Sequence, residues 1–401
     1  MRLVLVADAF PPMRSSASIQ LWDLAIEIRR LGHDIWVVVP SSDISHLSVF
    51  EEMDGINVLR LKARKTKDIG YIKRTVNEFL MPFLMIKNYR ASQANDYKWD
   101  GVIWYSPTIF LGPVAWYLKK KSRCKSYLIL RDIFPKWAVD LGIIKKGPTY
   151  YFFKLFEAIQ YYVADRIGIQ SKSDLGYLRG WGSSLNSKNE ILNNWLEDQS
   201  DSGCSISIET TSLVGRKILV YAGNMGVAQN VHRLLDFAFN LRDYSNFGFL
   251  FLGRGDQVGQ LKRSAQTLGL NNIIFIDEIS PKEIPGLYNQ CAVGMIALDP
   301  RHKTSNIPGK FISYMRAGLP VIALVNDGNE LMEVISNFNL GIVCTELDEY
   351  NFQQALNLLS HDDFTSISKN CRNFYIKNFL VQKSALQILD LFKSIKYFNE
   401  I

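Results

Sequence analysis

Cysteine is scarce in this chain of 401 residues: Cys124, Cys204, Cys291, Cys344 and Cys371 are odd in number, scattered, and form no CxxC pair or Cys/His cluster. That excludes a disulfide-stapled scaffold and a cysteine-built zinc site, and fits a reduced compartment. Long apolar runs are also missing. The most tempting, Phe79 to Ile86, contains Pro82 and falls far short of the roughly 20 residues a spanning helix needs. The apolar start, Met1 to Ala7, is cut by Asp8 with no cleavage pattern after it, so no signal peptide is expected. No low-complexity tract occurs and charged residues make up 21%, which argues against long disorder. The expectation is a cytoplasmic protein without a transmembrane segment.

With 47% hydrophobic residues, the chain is long enough for two domains that each bury a core. Short Val/Ile/Leu-rich runs alternate with helical patterns from end to end, which predicts α/β architecture with parallel sheets. Strands are expected at 2–8, 34–40, 101–106, 126–131, 166–171 and 190–195, then at 217–223, 247–253, 272–277, 292–298, 320–325 and 341–344. Ile19 to Leu31 reads as a helix stopped by Gly32. Between 197 and 215 the sequence turns polar and Ser/Thr-rich, so the boundary is drawn there: 1–198 as the first domain, 199–381 as the second. The last helix, 382–401, has no strand of its own to cover and is a candidate to pack back onto the first domain.

In such sheets ligands sit beyond the carboxyl ends of the strands. After the strand at 217–223 comes Asn224-Met225-Gly226, where Gly223 and Gly226 permit close backbone approach to a ligand or simply punctuate the turn. The next strand ends in Gly253-Arg254-Gly255-Asp256, and with Gly259 and Asp277 this admits a dinucleotide reading, although the usual fingerprint follows the first strand of its domain. Thr304-Ser305-Asn306-Ile307-Pro308-Gly309-Lys310 is the most informative stretch. Pro308 suits a first helical position, so free N–H groups and the positive helix end face the loop. Lys310 puts a cation where a helix ordinarily prefers an acid, which a bound phosphate explains; a solvated surface lysine is the plain alternative. In the first half, Asp132 of Arg131-Asp-Ile-Phe-Pro135 closes a strand at the mouth of the sheet, either to orient a hydroxyl or to cap the following helix. The loop 11–18, with Arg14, Ser15 and Ser16, opens the first long helix.

Taken in order and spacing, these residues resemble the family 4 glycosyltransferases of the GT-B fold, two Rossmann-like domains facing across a cleft. The likeness is to the branch that builds bacterial O-antigen and capsule, including L-fucosamine transferases. It rests on Phe10-Pro-Pro12, Leu31-Gly-His33, Ser106-Pro107, Arg131 to Pro135, Leu192-Asn-Asn194, Tyr221 to Gly226, Gly253-Arg-Gly255, Ile307 to Lys310 with Tyr314-Met315, Ala317 to Pro320, and Asn329-Glu330-Leu331. The resemblance implies a retaining transfer from a nucleotide diphosphate sugar, with no obligatory cofactor or metal. Gly223, Asn224, Gly226, Arg254, Ile307, Pro308 and Lys310 are implied around the nucleotide diphosphate, with Ser305, Asn306, Ser313 and Glu330 in the same donor site. The sequence departs from the family in carrying Ser305 and Ser313 where many members have glutamates, Asn224 and Gln229 where they have Arg and Lys, and Ser15-Ser16 for a glycine pair.

Net charge is +7 and uneven: residues 1–166 hold 25 Lys+Arg against 16 Asp+Glu, and the remainder is slightly acidic. The first half thus expects an anionic partner. The mixed basic and aromatic stretches 71–90, 116–125 and 145–156 fit the inner leaflet of an anionic membrane, where a polyprenyl-linked saccharide acceptor resides, or are core helices with solvated lysines. A peripheral position on the cytoplasmic face of the inner membrane follows. Nucleic acid is not expected, since no recognition-helix, RRM or zinc signature is present. Two rivals remain: a sugar-nucleotide epimerase of the same fold and a non-catalytic sugar-nucleotide-binding protein.

Overall fold

The computed structural model describes residues 1–13, 15–67, 69–140, 142–199, 202–299, 307–360 and 364–393. Its contacts divide the chain into two units, 1–195 with 381–401, and 196–380.

The first unit carries β1 (Arg2–Val6), α1 (Ser16–Arg30), β2 (Asp34–Ser41), β3 (Ser48–Met53), β4 (Ile56–Lys62), α2 (Tyr71–Arg90), β5 (Gly101–Ser106), α3 (Gly112–Ser122), β6 (Lys125–Leu130), α4 (Lys136–Asp140), α5 (Pro148–Val163), β7 (Arg166–Ile169), α6 (Lys172–Arg179), α7 (Ser183–Asn186) and β8 (Asn189–Ile191). The sheet order is β3-β4-β2-β1-β5-β6-β7-β8, parallel throughout except for β3. Strands flanked by helices on both faces must be apolar on both faces, and β5 is buried along its whole length. Ser15 starts α1 by accepting from the Ser18 amide at 3.2 Å, and Gly32 at φ +83° takes the left-handed turn that ends it. The β3–β4 hairpin is an addition to the strands expected from apolar runs. β3 is half-exposed and in β4 the polar Asn57, Arg60 and Lys62 interrupt the buried residues, so neither shows a continuous apolar run, but Asp54-Gly55, both at positive φ, is a tight-hairpin signal.

The second unit carries β9 (Lys217–Ala222), α8 (His232–Asn240), β10 (Phe247–Leu252), α9 (Val258–Thr267), β11 (Ile273–Ile276), α10 (Ile284–Tyr288), β12 (Val293–Ala297), α11 (Gly309–Ala317), β13 (Val321–Leu324), α12 (Glu330–Phe338), β14 (Gly341–Cys344), α13 (Glu349–Ser360) and α14 (Thr365–Asn378). Its six strands are parallel in the order β11-β10-β9-β12-β13-β14, the doubly wound order with a switch point between its first and fourth strands. Val220, Leu250 and Ile296 bury one face of this sheet, and Leu219, Phe249 and Met295 bury the other.

The last helix, α15 (Val381–Lys393), lies against α1 in the first unit. Phe392 explains a sequence feature of β5: a Cβ at Gly101 would fall 2.5 Å from its ring, so glycine makes room for the helix. Among the described residues, no helix is long and apolar enough to cross a membrane.

Candidate active site

Lys310 lies in the first turn of α11, a helix with no side-chain cap and no acid in that turn. Pro308 is the N-cap and Gly309 the first helical residue, one position later than the proline-first expectation; Pro308 still accepts from the Phe311 amide at 3.0 Å. The Lys310 ammonium does not reach solvent. Its nitrogen is buried, has no hydrogen-bond partner among the described residues, and sits 3.6 Å from the centroid of the Tyr221 ring. The cation–π contact offsets only part of the lost hydration, and burial pushes the amine down from 10.5 to about 7. A Cβ on Gly223 would stand 3.6 Å from Lys310 Cε, so the β9 loop and α11 meet at the switch point of the second sheet.

Tyr314, one turn along α11, fixes that meeting. Its hydroxyl accepts from the Ala222 amide at 3.1 Å and faces the Val220 and Met295 carbonyls at 3.1 and 3.2 Å, joining the helix to β9 and β12. Gly294 admits the ring, since a Cβ there would lie 2.5 Å from it. The loop after β9 is held by its own polar groups. Gln229 Oε1 accepts from Asn224 Nδ2 at 3.0 Å and from the Gly226 amide at 3.2 Å, and Tyr221 donates to the Asn224 carbonyl at 2.6 Å. Met225 donates to the Arg254 carbonyl at 2.7 Å, tying this loop to the one after β10.

The structure therefore brings Gly223, Asn224, Gly226, Pro308 and Lys310 to one end of the second sheet. Arg254 is an exposed side chain there, in an ion pair with Glu278 at 3.4 Å. Ser313 is half-buried and donates to the Gly309 carbonyl of its own helix at 3.3 Å. Glu330 opens α12 beside the N-cap Asn329, whose Oδ1 accepts from Leu331 at 3.0 Å. A cavity of about 550 Å³ at the ends of β13 and β14 is lined by Arg233, Val325, Asn326, Asp327, Met332, Thr345 and Glu346. Ser305 and Asn306 lie outside the described residues, as does Arg14. Sequence reasoning marks Tyr221 only as part of a motif, without its role, and misses Gly294, because both roles depend on which strands become neighbours. The Gly253-x-Gly255 element follows β10, the second strand of its unit, which removes the positional basis of the dinucleotide reading.

In the first unit, Arg131 and Asp132 have opposite fates. Arg131 is buried: its guanidinium donates to the Leu192 and Asn193 carbonyls at 2.7 and 3.3 Å and lies 4.7 Å from the Trp195 ring centroid. Burial pushes it down to about 10. It serves to hold 192–195. Asp132 stays exposed at the mouth of the sheet, its pKa raised by the surrounding protein and then by Asp174, against the pull of Arg131. Ser15 is spent on capping α1, and Ser16 is that helix's exposed first residue.

Residues 207–379 match the family model described as glycosyl transferases group 1. That match lies within the second unit, and the fold of the chain is of the GT-B type. Among particular proteins, the chain is 22% identical over 265 residues, 64% of it, to Pseudomonas aeruginosa WbjE, named as a probable glycosyltransferase. It is 24% identical over 281 residues, 66% of it, to Escherichia coli (strain K12) WcaI, named as a putative colanic acid biosynthesis glycosyl transferase. The matched segments span 64% and 68% of those relatives. The fold is similar to that of Anabaena Alr3699/HepE, solved in complex with UDP, at a TM-score of 0.68 and 16% identity over 98% of this chain and 100% of that one.

Proposed function

We propose that this protein is a retaining glycosyltransferase that moves a sugar from a nucleotide diphosphate donor to a polyprenyl-linked saccharide during O-antigen or capsule assembly. The observation that carries the reading is the buried Lys310 ammonium, without a hydrogen-bond partner among the described residues, in the first turn of α11 and against the Gly223 loop. A desolvated cation at a helix N-terminus stabilises a diphosphate more as it leaves, because negative charge grows on it in the transition state. Arg254 adds a second cation, and Asn224, Ile307, Pro308, Ser313 and Glu330, with Ser305 and Asn306, complete the donor side. On the acceptor side Asp132 is assigned to the attacking hydroxyl, and Arg14, Ser15 and Ser16 are assigned to acceptor binding. No metal or other cofactor is required. A UDP-linked, N-acetylated deoxy sugar of the kind used by L-fucosamine transferases is the proposed donor; the UDP complex of HepE and the naming of WcaI support the nucleotide and the polysaccharide context.

The test is thermal stability against a panel of UDP- and GDP-sugars. A donor at 100 times its Kd adds about 2.7 kcal/mol and raises the melting temperature visibly. Stabilisation by nicotinamide cofactors instead, or by nothing in the panel, overturns the donor assignment. Nucleotide release with an isomerised sugar and no acceptor-dependent product favours the epimerase; binding without turnover favours a non-catalytic role.

The same reading puts the first unit on the cytoplasmic face of the inner membrane. Neighbouring helices α2, α3 and α5 leave large apolar side chains exposed: Tyr71 and Ile72 at 84%, Tyr162 at 79%, Tyr151 at 68%, Leu155 at 58% and Trp116 at 48%. Lys73, Lys87, Lys120, Lys145 and Lys146 are exposed around them. Apolar rings among lysines suit a headgroup layer of anionic lipid. Co-sedimentation with phosphatidylcholine vesicles should require added phosphatidylglycerol. Since each lysine near the surface contributes about 1 kcal/mol, Lys73→Glu with Lys145→Glu should weaken it at least tenfold; equal binding to neutral vesicles would contradict the placement.

A further inference from the structure

The switch point of the first sheet lies between β1 and β5, since the chain goes from β1 to β2 on one side and reaches β5 on the other. Ligand crevices of doubly wound sheets open at that point. The carboxylate that stands there is Asp8, just past the end of β1, whereas Asp132 follows β6. Asp8 Oδ1 is buried and has no hydrogen-bond partner among the described residues. Buried carboxylate oxygens without a donor are rare in folded proteins, and each asks for an explanation.

Among the described residues, the neighbouring charged groups do not supply the donor. Arg74 is committed to Glu78 at 2.8 Å, and the Lys67 ammonium lies 2.9 Å from Met13 Sδ. Burial raises the pKa of Asp8, while the fields of Lys67 and Arg74 and its own backbone amide lower it; burial likewise raises Glu78 and Tyr105 on β5, and Asp8 adds a smaller push to each. The loop that carries Asp8 is fixed by other contacts. Arg60 donates to the Pro11 carbonyl, the Met13 amide donates to the Phe10 carbonyl at 3.2 Å, and Phe10 packs on Trp22 with centroids 5.7 Å apart. The carboxylate is therefore held in place by its backbone, with an acceptor oxygen left over.

With two cations already in its field, the missing donor is a neutral hydroxyl rather than an ammonium. We propose that Asp8 accepts a hydrogen bond from a sugar hydroxyl of the saccharide acceptor and so selects and positions it, without taking its proton. This rests on the transferase reading above.

The test is Asp8→Asn in the full chain. Sugar transfer is followed from a labelled nucleotide sugar into an organic-solvent extract of the source cell's membranes, with the melting temperature measured alone and with the nucleotide sugar. The expected result is a tenfold or larger loss of label in the lipid phase, mainly through a raised KM for the extract. The melting temperature should be unchanged or higher, because the amide removes a buried carboxylate that the fold leaves unpaired, and donor stabilisation should persist. Undiminished transfer, or a lost melting transition matching the lost transfer, overturns the assignment and makes Asp8 dispensable or structural. A wild type that is stabilised by a donor yet moves no label overturns the transferase reading itself, and the Asp8 assignment with it.

Discussion

Replacing Lys310 by methionine should raise the stability of the second unit at pH 6 and abolish the stabilisation given by a nucleotide sugar. The amine is pushed down to about 7 from 10.5 by burial, and it has no hydrogen-bond partner among the described residues. Below pH 7 the folded and unfolded chains both hold the proton, so the folded state bears the full cost of a desolvated charge. Between pH 7 and 10.5 only the unfolded chain holds it, and the methionine variant's advantage fades as the pH rises. Each tenfold loss of proton affinity on folding corresponds to about 1.4 kcal/mol, so the methionine variant gains a few kcal/mol at pH 6 and loses that advantage towards pH 10. Calorimetry of the two proteins at pH 6, 8 and 10 reads this directly, and an advantage that grows with pH would refute it. A diphosphate restores the charge by pairing with it, so above pH 7 binding takes up a proton. Donor Kd should then rise by up to about tenfold per pH unit, a dependence the methionine variant lacks.

The second large effect is expected at Gly253 and Gly255. Both have φ values unsuited to other residues, +132° and +153°. Their Cβ atoms would stand 2.2 Å from the Gly223 carbonyl oxygen and 2.3 Å from that of Met225. The obstacles are backbone atoms of the loop after β9, which cannot rotate away, so Gly255→Ala should cost several kcal/mol and displace the Gly223 to Gly226 segment. Gly259→Ala provides the contrast. Its Cβ meets nothing nearer than Arg263 Nη1 at 3.6 Å and it lies inside α9, where alanine should add about 0.5–1 kcal/mol. Urea unfolding of alanine variants at the three glycines checks both signs. Equal losses at all three would mean that the third packs closely, as a dinucleotide-binding turn requires.

This division among three glycines shows how the site is legible only in part. The sequence marks Gly253, Gly255 and Gly259 alike, because spacing carries no information about which loop lies alongside. Lys310 stands out as a charge in an unsuitable helical position, but a surface lysine gives the same string of letters. Its burial against Tyr221 requires β9 and β12 to be neighbours, although they are separated by two strands in the chain. Arg131-Asp132 reads as one polar motif, and folding turns the arginine inward to the 192–195 segment and leaves the aspartate at the mouth. The β3–β4 hairpin escapes a search for apolar runs because polar residues interrupt both strands, and the destination of α15 shows only in the fold, where Val381, Ala385, Ile388, Leu389 and Phe392 join the first core and Phe392 fills the gap at Gly101.

The sequence alone determined the alternation of apolar runs and helical periods, the change of texture near residue 197, and the surplus of positive charge in the first half. These are local properties, written in the order of side chains. Tertiary structure decided which strand ends share a crevice, and therefore which polar atoms lose water without gaining a partner. Asp8 and Lys310 owe their chemistry to that, since desolvation is a property of a place in the fold rather than of a residue type.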